Sequence, residues 1–173
     1  MNIIGIDFGT TKTVAALYKD QHTTIIPDRH GHLSIPSLVL LSPDGEFSVG
    51  WEAQTHPRRY ESKSFTINSI KRQLGRQGEA DWGSWKTCPQ EVAALILGRM
   101  KIEVEAYLDE EVEQAVIAIP AHFDINQRWA VMHAAEIAGF QTLRLLNLDF
   151  PVLPEPLQDK DLKAHCCESS VKT

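Results

Sequence analysis

Apolar positions along the chain fall into two regimes. Near the N-terminus, Ile3, Ile4 and Ile6 run into a Gly/Thr turn at residues 8–11, and Val14, Ala15, Ala16 and Leu17 follow. That spacing predicts a buried hairpin. Residues 22–26 are rich in β-formers and stop at Pro27, residues 28–32 have turn chemistry around Gly31, and residues 33–41 resume as strand with Pro36 at an edge or bend. Ser42-Pro43-Asp44-Gly45 then turns the chain into another strand at 47–50. Beyond Trp51 the period lengthens. Ile67, Ile70 and Leu74 share one helical face, with Gly75 placed to end it. Residues 78–86 read as a surface connection, with Trp82 and Trp85 packed beneath a loop. Thr87 and Gln90 have capping-box spacing around Pro89, and Val92, Ile96, Met100, Val104 and Leu108 form the stripe of a long amphipathic helix. Residues 115–119 are a short apolar run with the character of a central strand, stopped by Pro120. Asp124 and Gln127 cap a helix whose inner face is expected to be Ile125, Trp129, Met132 and Ala135, ending at Gly139 before a strand at 142–146. The result is a strand-helix-strand unit in an α/β chain. After Asn147 the composition shifts. Pro151, Pro154 and Pro156 forbid a regular helix, residues 158–173 are polar, and the ordered fold is expected to end near Asn147.

The composition narrows the class. The 173 residues suit one compact domain, and 43% hydrophobic with 23% charged residues is a soluble balance. No apolar run approaches the roughly 20 residues of a membrane span, and Asp7 interrupts any secretory leader, so a cytoplasmic chain with no membrane partner is expected. Cys88, Cys166 and Cys167 lack framework spacing, which fits free thiols. A net charge of -6 argues against nucleic acid as a partner. His165-Cys166-Cys167 lacks the spacing of a zinc site, and His30-Gly31-His32 is expected to be a solvated turn.

The sharpest chemistry lies in Ile4-Gly5-Ile6-Asp7-Phe8-Gly9-Thr10-Thr11. A buried strand delivers a carboxylate to the lip of a glycine turn carrying two hydroxyls. Gly9 admits close backbone approach, successive N–H groups and the Thr10 and Thr11 hydroxyls suit phosphate oxygens, and Asp7 can hold Mg²⁺ through its waters. Neither G-x-x-x-x-G-K-[ST] nor G-x-G-x-x-G occurs, so the turn is of another phosphate-binding type. A tight hairpin with an Asp at a strand end is the plain alternative.

Asp7-Phe8-Gly9-Thr10-Thr11 resembles the first phosphate loop of the actin, sugar-kinase and heat-shock chaperone superfamily. Ile35-Pro36-Ser37, Val49-Gly50, Ile70-Lys71-Arg72-Gln73-Leu74-Gly75-Arg76, Ala118-Ile119-Pro120-Ala121-His122-Phe123, Asn126-Gln127-Arg128 and Ala138-Gly139 resemble, in order, the N-terminal lobe of the seventy-kilodalton heat-shock chaperones. The resemblance runs from Asn2 to about Asn147. It implies the ribonuclease-H-like, actin-type ATPase fold, first lobe only, with ATP or ADP and Mg²⁺ as cofactors. It also implies co-chaperones and unfolded polypeptide as partners of the full-length architecture. Under it, Asp7 lies near Mg²⁺, Thr10 and Thr11 face the β- and γ-phosphates, and Lys71 orients the attacking water and γ-phosphate. Pro120 and Arg128 relay nucleotide state. From the residues alone, Lys71 reads as part of a solvated helix face with Arg72 and Arg76, and Arg128 as a surface residue.

The implied organisation is a core subdomain from 1–36 plus 112–147, a peripheral subdomain over 37–111, and a divergent, disordered tail over 148–173. Departures matter as much as matches. Where the family pattern places a Glu after Asn147, this chain reads Leu148-Asp149-Phe150-Pro151, and neither the second phosphate loop nor the adenosine segment occurs. Asp149 lies one position off, facing the opposite way on an extended strand. A truncated form with weak or no hydrolysis is therefore expected. Two other classes stay open: a sugar- or acetate-kinase-like lobe, and a non-catalytic module that binds co-chaperones.

Overall fold

A computed structural model describes residues 3–42, 44–55, 64–76, 78–82 and 85–148. The opening hairpin forms as its pattern requires. β1 (Ile3–Phe8) turns its alternate residues Ile4, Ile6 and Phe8 inward and pairs antiparallel with β2 (Lys12–Lys19), which in turn pairs with β3 (His22–Ile25) and β4 (Ile35–Pro36). β10 (Gln114–Pro120) lies parallel to β1 on its other side, and β11 (Gln141–Leu148) lies parallel to β10. The central sheet thus runs β11-β10-β1-β2-β3, with β4 beside β2. A smaller antiparallel sheet, β6-β5-β7, comprises β5 (Leu38–Leu41), β6 (Phe47–Val49) and β7 (Phe65–Asn68), with the short helix α1 (Trp51–Thr55) following β6. A mixed sheet with flanking helices and a small antiparallel sheet is the α/β architecture of the expected actin-type lobe.

One core joins these layers. α2 (Pro89–Leu108) contributes Val92, Ile96, Leu97, Met100 and Val104, α3 (Ile125–Ile137) contributes Ala130, Val131, Ala134 and Ala135, and the sheet contributes Ile4, Ile6, Phe8, Ala115, Ile117 and Ile119. The predicted inner face of α3 is corrected here. Ile125 and Trp129 are exposed, and only Ala135 of the four named residues is buried. Small side chains allow α3 to approach α2 closely, and its larger residues turn outward into a groove with Arg128, Thr142, Arg144 and Leu145.

Three further readings change. Ile67 lies on β7 opposite Val39 rather than on a helix, because β-formers at 65–67 pair with β5. Ser69 at φ 54 then starts a separate 3-10 turn, Ile70–Gln73. The cap of α2 moves by one residue: Thr87 is buried in β9 (Lys86–Thr87), so Cys88 is the N-cap and its N–H donates to Glu91 Oε2 at 3.3 Å. Residues 78–86 are not a plain surface connection, since β8 (Ala80–Asp81) pairs with β9. Trp82 is buried beside them and donates from Nε1 to the Thr87 carbonyl at 3.3 Å. Trp85 packs on Phe47, ring centroids 4.6 Å apart. The histidine turn is solvated as expected, with His30 and His32 exposed, and it is also ordered by local bonds. Asp28 accepts from the His30 and His32 N–H groups and pairs with His32 Nδ1 at 2.8 Å, while the His32 ring stacks on Trp51. β11 continues one residue past Asn147; Asp149, His165, Cys166, Cys167 and the rest of the predicted tail from 149 lie outside the described residues.

Candidate functional site

β1, β10 and β11 are parallel, so their carboxyl ends open at one edge of the sheet, the usual place for a ligand in an α/β fold. The glycine turn leaves β1 at that edge. A Cβ on Gly9 would lie 2.2 Å from the Lys12 carbonyl oxygen, so the turn folds back more tightly than any side chain permits. Thr10 is half-buried and Thr11 exposed. Asp7 alternates out of the core, on the face opposite Ile6 and Phe8, and remains open to solvent. Surrounding protein desolvates its carboxylate and raises its pKa above the ordinary Asp value, an effect that the positive charge of Lys71 partly opposes.

Lys71 arrives from the 3-10 turn, anchored by the buried Ile70 and Leu74 on either side. It is itself only 6% exposed. Its ammonium sits 5.8 Å from the ring centroid of Phe8 and 5.7 Å from that of Phe123. Among the described residues it makes no hydrogen bond and no ion pair. Burial lowers its pKa, with Asp7 acting in the opposite sense. Two aromatic faces therefore hold a partly dehydrated cation whose three N–H donors are unspent, an arrangement that suits an anionic ligand. This corrects the reading of Lys71 as a solvated helix face. Arg72, beside it, is exposed.

The segment bearing Lys71 is pinned against α3. Gly75, at φ +85, is so close to Gln127 that a Cβ would meet its Cγ at 2.8 Å and its backbone nitrogen at 3.0 Å. Gln127 belongs to the capping box with Asp124, whose carboxylate accepts from the Gln127 N–H at 2.9 Å. Arg128, one residue on, turns back over the loop after β10. Its Nε donates to the Phe123 carbonyl at 3.0 Å and its Nη2 to the Ala121 carbonyl at 3.3 Å. Pro120 ends β10 opposite Leu148. Arg128 is thus tied to the loop that leaves Pro120, and that loop carries Phe123 to Lys71. That Phe8 and Phe123 partner Lys71 is not apparent from the sequence. The signal there is only an aromatic residue inside each of two motifs already singled out.

The family model described as Hsp70 protein matches residues 3–82 and 78–149, spans that contain every site residue named above. The chain belongs to the Hsp70 family. Its matched residues are a fragment of that family's nucleotide-binding region, and the family is one of chaperone ATPases that bind ATP.

Proposed function

We propose that this edge of the Hsp70 lobe grips the β- and γ-phosphates of ATP, and that the 173-residue chain by itself holds only part of a nucleotide site. The observation that carries the reading is Lys71, a nearly buried ammonium with unspent donors beside the residue that enters the glycine turn. Thr10 and Thr11 offer hydroxyls and backbone N–H groups to phosphate oxygens, and Lys71 offers a compact cation for charge building on a transferred phosphoryl group. Mg²⁺ fits the same corner. Asp7 is a solvent-open carboxylate at the lip of the turn, and no cluster of three or more His, Cys, Asp or Glu lies among the described residues. One carboxylate sharing the ion with water and phosphate is a common way to hold Mg²⁺, which keeps most of its waters. Bound there, the metal would neutralise phosphate charge.

Magnitudes limit what this half can do. Three or four charge-assisted hydrogen bonds contribute about 1.5 to 3 kcal/mol each, against an association cost on the order of 4 to 15 kcal/mol. Affinity for ATP is expected to be millimolar at best. Hydrolysis by the chain alone is expected near background, since exposed Leu148 stands at the end of β11 where the family pattern has an acid. Co-chaperones and unfolded polypeptide are the partners that family membership suggests, and the exposed face of Ile125 and Trp129 beside Arg128 and Arg144 is a surface such partners could use. Pro120 and Arg128 are proposed to carry nucleotide state through the 121–123 loop toward that face.

An NMR titration of the labelled chain with Mg·ATP tests the reading. Amide shifts concentrated at residues 7–11 and 71 with millimolar saturation are expected. Micromolar affinity by calorimetry would overturn the half-site argument, and shifts confined to other surfaces would overturn the assignment of the site.

A further inference from the structure

Ser37 lies 28 residues from Gly9 in the chain, yet its hydrogen bonds converge on the glycine turn. Its N–H donates to the Thr11 carbonyl at 2.8 Å, and its hydroxyl donates to the Gly9 carbonyl at 2.9 Å. The Thr13 hydroxyl stands 3.0 Å from the Ser37 hydroxyl. With the Ser37 proton committed to Gly9, Thr13 is the donor of that pair. Ser37 is 3% exposed and Thr13 fully buried, so water does not compete for these bonds. Pro36, which precedes Ser37, pairs across from Lys12 and brings β4 alongside the turn.

The consequence follows from peptide geometry. In a trans peptide the C=O of one residue and the N–H of the next point in opposite directions. Drawing the Gly9 carbonyl inward to a buried hydroxyl therefore turns the Thr10 N–H outward, away from Ser37. Holding the Thr11 carbonyl inward fixes the other end of the same turn. The turn is already folded so tightly that a Cβ on Gly9 would fall 2.2 Å from the Lys12 carbonyl oxygen, which leaves it little room to close further.

We propose that Ser37 is a positioning residue for phosphate: through the Gly9 and Thr11 carbonyls, and backed by Thr13, it aims the Thr10 N–H and the threonine hydroxyls at the ligand. This rests on the reading of the turn as a phosphate loop. Ser37 touches no ligand. It acts by removing the turn's freedom to rotate its peptide planes, so that binding need not supply that order.

The test uses the labelled full chain titrated with Mg·tripolyphosphate, a probe that needs the phosphate loop and no adenosine segment. Ser37→Ala should shift the Thr10 and Thr11 amide resonances before any ligand is added and weaken binding by about fivefold or more, the factor expected for one buried hydrogen bond. Ser37→Thr, which keeps the hydroxyl, should restore binding to within about twofold of the native chain. Ser42→Ala is the control. Ser42 is an equally buried serine whose hydroxyl accepts from the Glu46 N–H at 3.1 Å in a different turn, so its loss should lower stability without changing affinity. Native affinity in Ser37→Ala, or an equal loss in Ser42→Ala, overturns the proposal even if Ser37→Thr proves too crowded to fold. Failure of the native chain to shift at residues 9–11 overturns the phosphate reading itself, and the positioning role with it.

Discussion

Gly75→Ala separates the contact that holds the Lys71 segment from ordinary backbone strain. Gly75 sits at φ +85, where an alanine costs about 1–2 kcal/mol. Its new Cβ would also fall 2.8 Å from Gln127 Cγ, 3.0 Å from Gln127 N and 3.2 Å from Gln127 Cα. The Gln127 side chain is not free to swing aside, because its Oε1 accepts from the Asp124 N–H at 3.0 Å while its own N–H donates back. Making room means opening the capping box of α3, worth about 1 kcal/mol more. The expected loss is about 2–3 kcal/mol, or roughly 4–12 °C in Tm for a chain of this size. Gly78→Ala supplies the comparison: Gly78 has φ +87 with nothing within 4 Å of its Cβ position, so it carries the backbone cost alone. Gain of an alanine's lower unfolded-state entropy is common to both and cancels. Urea unfolding of the two variants should therefore differ by about 1 kcal/mol, with Gly75→Ala the weaker. Only Gly75→Ala should also move the Lys71 and Phe123 resonances. Equal losses in the two variants would refute the claim that Gly75 seats the lysine turn on α3.

Two further outcomes follow from charge. Lys71→Met should abolish phosphate-dependent shifts while leaving stability unchanged or raised by about 1 kcal/mol, because a thioether between two rings avoids dehydrating a cation. A loss above about 2 kcal/mol in urea unfolding would mark Lys71 as structural instead. For Glu105, burial acts to raise the pKa, but hydrogen bonds from Lys101 Nζ and the Val112 N–H, with the charge of Lys101, outweigh it and leave the value lowered. A lowered carboxylate pKa gives stability that is present above the ordinary Glu value, about 4.3, and disappears as pH falls through the folded value. Glu105→Gln should thus be less stable at neutral pH, with its deficit closing in acid, as read by unfolding across pH 2–7; parallel curves would exclude the linkage.

Legibility varied with how local the deciding interaction is. The β1–β2 hairpin, the long helix α2 and the Asp124/Gln127 cap were readable because alternation, four-residue spacing and capping chemistry act within a few residues. Ile67 reads as helical because its spacing to Ile70 and Leu74 fits a helix, whereas its pairing with Val39, 28 positions earlier in the chain, decides for strand. The face of α3 was misread for a related reason. Its bulkiest residues were placed inside, but contact with α2 selects Ala130, Ala134 and Ala135, whose small size is the asset. The site divides in the same way. Asp7, Gly9, Thr10 and Thr11 share one loop and one motif, while the setting of Lys71 depends on Phe8 and Phe123, which only the fold brings to it.

That dependence bears on how a phosphate bound at one edge of the sheet could be felt on the outer face of α3. Lys71 has two ways to respond to an anion: its ammonium can leave the rings, or the turn that carries it can shift. The first disturbs Phe123, whose own carbonyl accepts from Arg128 at the start of α3. The second presses Gly75 on Gln127, within the cap of the same helix. Both routes end in the first turn of α3, next to Ile125 and Trp129 on its exposed side. A flexible surface lysine would dissipate the change in its own rotamers. A lysine that is 6% exposed, set between two rings and carried on a turn with no clearance at Gly75, has few rotamers in which to do so. The tight packing that makes Lys71 costly to desolvate is therefore also what would pass its displacement to Arg128, and this gives the proposed coupling role of Pro120 and Arg128 a steric basis in the lobe itself.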